Sequence, residues 1–209
     1  CGMISKLVTE RAPWRSAAAV CWELDRDCPI DVPDSIVRTA WERRVNSPQS
    51  SAAGRLFDAA SAIILGVGET SFEGQGPMWL EAIARDPAAF PRLELRATVE
   101  GRLELDWAPL VYWLLQASPT SAAGRADCAG AVHASLADGI VQMAGRLRAM
   151  SGSSVVGLTG GVFQNRRLTE AALAGLSARG FDVLLPVQLP CNDGGLSYGQ
   201  VADFIGRKV

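Results

Sequence analysis

The stretch GLTGGVFQN, residues 157–165, decides the fold because a strand pattern changes to a helical pattern within it. Residues 155–159 read as a buried strand, Gly160 and Gly161 as a turn, and residues 164–179 have helical spacing. Glycines at such a junction allow positive φ and a close approach of the backbone to a ligand. The first N–H groups of the following helix lack partners within it and can bind an anion or a polar ring. The stretch therefore predicts one wall of a ligand cleft.

A second stretch, LPCNDGG at residues 189–195, repeats this arrangement. Residues 182–185 predict a strand, residues 192–195 a turn, and the residues after them a helix that runs to the C-terminus. Two strand–glycine–helix units in tandem predict a cleft at the carboxyl ends of the strands of one sheet.

The composition restricts the class of protein. The chain has 209 residues, 48% of them hydrophobic, and a net charge of −2, whereas a free-standing nucleic-acid binder would be more basic. Its apolar stretches are short and broken by Gly or Ser, so we expect no membrane span. Five scattered cysteines without a CxxC pair favour reduced thiols in a cytoplasm, and the one close spacing is that of Cys21 and Cys28. Because the chain has one histidine, a bound metal ion would need carboxylates or ligands from elsewhere.

The remaining pattern divides the chain into three parts. Residues 1–12 are predicted to be a linker, and residues 13–150 a helical portion with a β-hairpin at about 92–107. Residues 151–209 are predicted to form the β–α–β–α portion, which carries the predicted ligand cleft. This order predicts an α/β fold whose sheet is incomplete, with further strands supplied from outside this sequence.

One helix of the helical portion places a carboxylate away from its apolar side. Ser51 is predicted to cap this helix, which ends at Gly66. Asp58 falls opposite the apolar residues, so we expect it to face solvent or a cleft. A glycine-bearing loop at 70–77 follows, and the next helix is predicted at 78–85.

Five stretches in this order resemble one protein family. They are RAPWRSAAAV (11–20), SSAAGRLFDAASAIILG (50–66), SFEGQGPMWLEAIA (71–84), LTGGVFQNRRL (158–168) and LPCNDGGLSYGQ (189–200). The FD helix, the GGVFQN turn and the NDGG turn are specific in combination. The chain thus resembles the C-terminal lobe of HypF-type carbamoyltransferases, which are maturation factors of nickel–iron hydrogenases, over nearly its whole length.

The resemblance implies an actin-like fold, of the ASKHA or ribonuclease H-like type and close to tRNA threonylcarbamoyl-transferases, in which two lobes enclose a nucleotide cleft. This chain would be the second lobe, with additional helices. In such proteins an adenylate-forming domain makes carbamoyl adenylate from carbamoyl phosphate and ATP. The actin-like domain then transfers the carbamoyl group to the C-terminal cysteine thiol of HypE. The implied partners are a HypE-like acceptor and the missing first lobe or adenylate-forming domain, without nucleic acid or membrane.

The resemblance also implies a set of site residues. Asp58 would hydrogen-bond the ribose, residues 74–76 would approach ribose or phosphate, and the second glycine turn would hold the adenine or ribose. The implied nucleotide-binding residues are Asp58, Gly74, Gln75, Gly76, Gly160, Gly161 and Asn165. Asp193 would bind a divalent metal ion, Zn or Fe with Mg as an option, shared with residues outside this chain.

The sequence departs from the family pattern in ways that bear on activity. The family's His-x-x-x-His metal pair and its adenylate-forming domain are absent, so we expect this chain alone not to complete the reaction. The family usually has proline where Cys191 stands.

Each candidate residue also has a structural explanation. The glycine pair can serve tight strand–helix packing, Asp193 can cap a turn, and Asn165 can begin a helix. Asp58 can pair with Arg55, three residues earlier. His133 lies beside the apolar stripe of a long predicted helix, and we expect it to be structural.

Two other functions remain open at this point. The chain could be a non-catalytic nucleotide-binding or scaffold lobe that a partner chain completes. It could also belong to a carbamoyltransferase that acts on a small-molecule acceptor.

Overall fold

The computed structural model describes residues 4–5, 11–32, 35–45 and 47–207. Helices in this part of the chain are α1 (Pro13–Glu23), α2 (Ser35–Glu42), α3 (Ala53–Leu65), α4 (Gln75–Ile83), α5 (Ala108–Ala117), α6 (Ala122–Ser151), α7 (Arg166–Ser177) and α8 (Leu196–Gly206). The strands are β1 (Ile4–Ser5), β2 (Gln49–Ser50), β3 (Glu94–Ala97), β4 (Leu103–Asp106), β5 (Val155–Gly157) and β6 (Asp182–Leu184). Two 3-10 turns cover Gly161–Gln164 and Asp193–Gly195.

The strands form three separate pairs. β1 pairs with β2 and β3 with β4, both antiparallel, and the second pair is the hairpin predicted within 92–107. β5 and β6 are parallel, with Val156 opposite Val183. Because both strands run the same way, their carboxyl ends and the two glycine turns that follow lie at one edge.

Small side chains on α1 and α3 occupy the centre of the core. The fully buried residues of these two helices include Ala17, Ala18, Ala19, Val20, Cys21, Leu56, Phe57, Ala59, Ala60, Ala62 and Ile64. Alanines extend little beyond the backbone, so α1 can pack closely along α3. α3 also contacts α4, α5, α6 and the first 3-10 turn, so the helix that carries Asp58 is held on several sides.

The boundaries of three helices differ from the sequence prediction, for local reasons. α3 begins after Ala52, whose methyl group cannot cap it, so the predicted Ser51 cap is wrong. α4 begins at Gln75 rather than residue 78, because Gly74 takes a left-handed φ of 81° and its carbonyl accepts the first helical bond, from Met78 N–H. α7 begins at Arg166 rather than residue 164, because Asn165 is its N-cap.

The division of the chain into three parts stays a prediction. Residues 1–3 and 6–10 of the predicted linker lie outside the described residues, whereas Ile4–Ser5 pairs with Gln49–Ser50. None of the described helices has the length and apolar character that a membrane span requires.

Two glycines of α6 provide a matched test of the packing. A Cβ on Gly130 would collide with the backbone carbonyl oxygen of Arg85, whereas a Cβ on Gly145 would meet nothing within 4 Å. We expect Gly130→Ala to lower the free energy of unfolding by about 1–3 kcal/mol or more, as overpacking does. Gly145→Ala should instead raise it, by up to about 1 kcal/mol, through helix propensity. Urea unfolding measures both, and equal effects of the two variants would contradict this packing of α6.

Candidate functional site

Asp58 is a largely buried carboxylate on α3. Its side chain is 16% exposed, and Arg55 Nη1 donates to its Oδ2 at 2.9 Å. Arg55 Nη2 also lies 3.5 Å from Glu73 Oε1, in the loop before α4. Burial raises the pKa of Asp58 to about 6, although the Arg55 guanidinium opposes this rise. An ionised carboxylate at this position therefore costs stability, which makes Asp58 a candidate functional residue.

The loop before α4 lies against α3 beside Asp58. Ser61 Oγ donates to the Asp58 carbonyl at 2.7 Å, and a Cβ on Gly76 would collide with that Ser61 hydroxyl. Gly76 is thus required for close packing of α4 on α3. Gln75 Oε1 accepts from Ser71 N–H at 2.7 Å, so this amide oxygen is already used. The structure brings Asp58 and residues 74–76 together, and it gives both Gly76 and Gln75 a structural role.

The two glycine turns are joined by main-chain atoms. Gly160, with φ of 105°, donates its N–H to the Cys191 carbonyl at 2.6 Å, and Thr159 Oγ1 donates to the same oxygen at 3.3 Å. A Cβ on Gly161 would lie 3.9 Å from Asn192 Cβ. The two turns therefore meet at the carboxyl ends of β5 and β6, where the sequence predicts a ligand cleft. Since the first 3-10 turn contacts α3, this edge also adjoins the helix of Asp58.

The sequence predicts that the unpaired N–H groups at this edge belong to the first turn of the following helix, but in the structure they belong to the glycine turn. On α7, Arg167 N–H donates to Glu81 Oε1 at 3.2 Å and Leu168 N–H donates to Asn165 Oδ1 at 2.9 Å. These donors are therefore satisfied within the chain. The N–H groups of Gly161 and Val162, which begin the 3-10 turn, have no acceptor among the described residues. The donors available to a ligand thus come from the glycine turn rather than from α7.

Asn165 connects this turn to a buried histidine. His133 Nδ1 lies 2.7 Å from the Ala129 carbonyl, which can only accept, so Nδ1 carries the proton. His133 Nε2 then accepts from Asn165 Nδ2 at 2.8 Å, while Asn165 Oδ1 caps α7. The imidazole also packs on Phe57, with ring centroids 5.1 Å apart. Burial lowers the pKa of His133, so the ring is held neutral. The expected structural role of His133 is thus consistent with its contacts.

Asp193 is exposed at the start of the second 3-10 turn. Asn192 rather than Asp193 caps this turn, since its Oδ1 accepts from Gly194 N–H at 3.0 Å. Within the described ranges the Asp193 carboxylate makes no hydrogen bond or ion pair, and no group of three or more His, Cys, Asp or Glu residues is placed to hold a metal ion. The structure therefore leaves Asp193 free for an outside ligand but does not complete a metal site.

Sequence reasoning missed the contacts that hold these residues in place. The pairing of Asp58 with Arg55 was visible from the i, i+3 spacing, but the contact of Arg55 with Glu73 was not. Asn165 and His133 are 32 residues apart and no local pattern connects them.

Comparisons with known proteins match most of the chain to one protein family. Residues 5–200 match a family described as "Carbamoyltransferase, Kae1-like Domain, second subdomain". A carbamoyltransferase HypF homolog of Cupriavidus necator is 37% identical over 207 residues, which cover 92% of this chain and 52% of that protein. Carbamoyltransferase HypF of Rhodobacter capsulatus is 39% identical over 197 residues, which cover 90% of this chain and 25% of that protein. The chain thus spans about half of the first relative and about a quarter of the second.

Solved structures show the same fold. Full-length HypF in a phosphate- and nucleotide-bound form superposes with a TM-score of 0.79 at 26% identity, covering 94% of this chain and 27% of that one. HypF of T. kodakarensis superposes with a TM-score of 0.77 at 22% identity, covering 98% of this chain and 29% of that one. The chain therefore has an α/β fold of the carbamoyltransferase type.

The raised pKa of Asp58 predicts a pH-dependent effect of Asp58→Asn. A carboxyl group whose pKa is higher in the folded state loses its stabilising contribution as pH rises from the unfolded value through about 6. The neutral amide avoids this loss, so Asp58→Asn should raise the free energy of unfolding at pH 7.5 by up to about 3 kcal/mol. The gain should shrink at pH 5 and disappear near pH 4. Denaturant unfolding at these pH values measures it, with exposed Asp193→Asn as the control; a pH-independent gain would contradict the burial of Asp58.

The only histidine in the sequence gives one imidazole NMR signal whose titration reports on the Asn165 contact. We expect its midpoint below the ordinary value of about 6.5. Stability should accordingly fall as pH drops below that value, since only the unfolded chain takes up the proton. Asn165→Asp keeps the cap but places a carboxylate at Nε2, so the midpoint should rise. Glu170→Gln, on the exposed side of α7, should leave it unchanged; an unshifted midpoint in Asn165→Asp would rule out the contact.

Proposed function

The chain belongs to the HypF family of carbamoyltransferases, and from this premise we propose that it forms the nucleotide-binding lobe of a two-lobed, actin-like transferase domain. The domain binds ATP or carbamoyl adenylate and transfers the carbamoyl group to the C-terminal cysteine thiol of a HypE-like acceptor in hydrogenase maturation. The observation that carries the proposal is the edge at which two glycine turns meet, with the unpaired N–H groups of Gly161 and Val162.

Uncovered apolar surface supports a second lobe. The β5–β6 pair has Val155 and Leu184 at 54% and 56% exposure. On α8, more than half of the surface is exposed for each of the large apolar residues Leu196, Tyr198, Val201, Phe204 and Ile205. Large apolar residues exposed in such number on one helix and on a strand pair favour an interaction site. The first lobe of the same domain covers this face and completes the sheet.

The nucleotide lies between the glycine turns and α3. The Gly161 and Val162 N–H groups donate to its phosphate or to a polar ring edge, and Asp58 accepts from the ribose hydroxyls. The backbone at Gly74 approaches ribose or phosphate without an intervening side chain, and Gln75 and Gly76 follow it. Asn165 holds the turn, and the second hydrogen of its amide remains for the adenine or ribose. The solved structure of full-length HypF is described as phosphate- and nucleotide-bound, which fits nucleotide binding by a protein that contains such a lobe.

A divalent metal ion fits Asp193 only as one ligand of a shared set. The carboxylate is exposed and unpaired within the described residues, which is appropriate for a hard or mixed-ligand ion such as Zn, Fe or Mg. The other ligands come from outside this chain. When bound, the ion would polarise the carbamoyl or phosphate oxygens.

The transfer step forms one bond and breaks another. The acceptor thiolate attacks the carbamoyl carbon, a C–S bond forms, and the C–O bond to the phosphate of AMP breaks. Backbone donors at the glycine turn stabilise charge that develops on the phosphate as AMP leaves. The described residues contain no evident general base for the acceptor thiol.

Several candidate residues already make structural contacts within the chain, which favours a non-catalytic lobe as a second possible function. The Gln75 oxygen, the Asn165 oxygen and the space at Gly76 are all occupied by structural contacts. A non-catalytic lobe that only completes the cleft of a partner would need no more than these contacts. A carbamoyltransferase with a small-molecule acceptor is a third possibility, and its acceptor must be tested separately.

The proposal predicts that tight nucleotide binding requires both lobes. A helix or turn N-terminus contributes about 0.3–1 kcal/mol to anion binding, whereas a millimolar Kd requires about 4 kcal/mol. The chain alone should therefore bind ADP with a Kd no tighter than about 1 mM. Replacing the matched half of the Cupriavidus necator homolog with this chain should tighten binding at least about tenfold in calorimetry. No heat with either protein would refute the nucleotide site.

Variants of the same chimaera separate the possible functions. Asp58→Asn should weaken ADP binding, Asp193→Ala should abolish carbamoyl transfer, and Asp182→Asn at the opposite end of β6 should change neither. Nucleotide binding without transfer to a HypE-type thiol or to small-molecule acceptors would favour the scaffold lobe. Full transfer by Asp193→Ala would refute its metal role.

A further inference from the structure

The buried histidine of α6 belongs to a chain of hydrogen bonds whose direction is fixed at both ends by main-chain groups. At one end the Ala129 carbonyl can only accept, so His133 Nδ1 donates to it at 2.7 Å and Nε2 carries no proton. At the other end Leu168 N–H can only donate, so Asn165 Oδ1 accepts from it at 2.9 Å. The central contact of 2.8 Å therefore runs in one direction, from Asn165 Nδ2 to His133 Nε2.

Turning the Asn165 amide over would break both of its contacts. The amide oxygen would then face the unprotonated Nε2 of His133, which is an acceptor, and the NH2 group would face Leu168 N–H, which is a donor. An unmatched polar group beside a buried partner costs more than an ordinary hydrogen bond contributes, so two mismatches strongly disfavour the reversed amide. The neutral imidazole thus fixes which side of the amide is the donor.

The surrounding helices hold the ring of His133 in its neutral state. His133 is 1% exposed, and Phe57 of α3 packs on it with ring centroids 5.1 Å apart. Burial lowers the pKa of His133, and Arg167 of α7 adds to this effect while Glu81 of α4 opposes it. The imidazole is therefore neutral at neutral pH, which is the state in which Nε2 accepts a hydrogen bond.

After these contacts the Asn165 amide has one polar hydrogen left. One of its two hydrogens is used by His133, and the second has no acceptor among the described residues. Asn165 is half-buried and directly follows the 3-10 turn, where its own N–H donates to the Val162 carbonyl at 3.1 Å. The amide thus belongs to the same edge as the unpaired N–H groups of that turn, and it adds a third donor there.

We propose that His133 is a positioning residue for the nucleotide: by accepting one hydrogen of the Asn165 amide, it holds the other hydrogen ready for an acceptor atom of the ligand. This inference rests on the proposed nucleotide site and adds a chemical selectivity to it. The ligand atom at Asn165 must have a lone pair, as a ribose hydroxyl oxygen, a purine ring nitrogen or a phosphate oxygen has. An amino group of the ligand cannot take this place.

The first test measures the direction of the hydrogen bonds in this chain without a nucleotide. Because the sequence has one histidine, long-range 1H–15N NMR correlations of the ring identify its tautomer unambiguously. We expect the proton on Nδ1 and a bare Nε2 at neutral pH. A proton on Nε2 would overturn the proposal, since that nitrogen could not accept from Asn165. This measurement needs no variant and does not depend on nucleotide binding.

The second test measures ADP binding by calorimetry in the chimaera that supplies the other lobe, at about pH 8, where the ring is neutral. His133→Phe keeps a ring against Phe57 but removes the acceptor, so ADP should bind about tenfold more weakly. His133→Gln retains an acceptor in its amide oxygen and should restore the Kd to within about threefold of the unsubstituted chimaera. His133→Leu replaces His133→Phe if the larger ring unfolds the chain.

Ser135→Ala on the same helix is the matched control. Ser135 is fully buried, and its Oγ donates to the Pro91 carbonyl at 2.7 Å rather than to the turn. Its loss should lower the midpoint of urea unfolding without changing the Kd for ADP. A merely structural role of His133 would give the same pattern in His133→Phe, with reduced stability and an unchanged Kd, and this result would overturn the proposal.

The remaining outcomes separate this proposal from the one on which it rests. If the unsubstituted chimaera binds ADP and His133→Gln binds as weakly as His133→Phe, the acceptor at position 133 does not position the amide and the proposal is wrong. If the unsubstituted chimaera does not bind ADP, the proposed nucleotide site is refuted, and with it the role of His133 in that site.

Discussion

The small side chains of α3 are the constraint on which the rest of the structure depends. Ala59, Ala60 and Ala62 are buried, and α1, α4, α5 and α6 all contact this helix. Such close approach leaves little free volume, so a polar group on α3 must be satisfied locally or face an open edge. Asp58 and Ser61 follow this rule: Ser61 bonds to the Asp58 carbonyl and limits residue 76 to glycine, while Asp58 pairs with Arg55. The packing of the core and the position of the candidate ribose ligand are thus set by one helix.

The polar groups at the edge where the two glycine turns meet are of two kinds: some make hydrogen bonds within the chain and others remain unpaired. Asn165, Gln75, Glu81 and the Gly160 N–H are used within the chain. The Gly161 and Val162 N–H groups and the Asp193 carboxylate have no partner within the described residues. Three unpaired polar groups at one edge are too few to bind a nucleotide tightly, which agrees with a site that two lobes share.

The sequence predicted elements whose signals are local. The β5 strand, the glycine turn and α7 follow from hydrophobic period and from glycine, and the hairpin follows from alternation. The start of α4 was misplaced because the left-handed Gly74 looked like part of a loop. The Asn165–His133 contact depends on how segments fold back, which spacing alone does not reveal. The candidate site residues themselves came from motif resemblance, and their individual roles stay predictions.

The bond between the glycine turns has a consequence for sequence variation at position 191. Gly160 donates to the Cys191 carbonyl, so the link uses no side-chain atom. A proline at this position would retain this carbonyl and lose the N–H, which donates to no acceptor among the described residues. The exchange of proline for cysteine therefore leaves the joint between the turns intact. The side chain at position 191 is thus decoupled from the bond that joins the two turns.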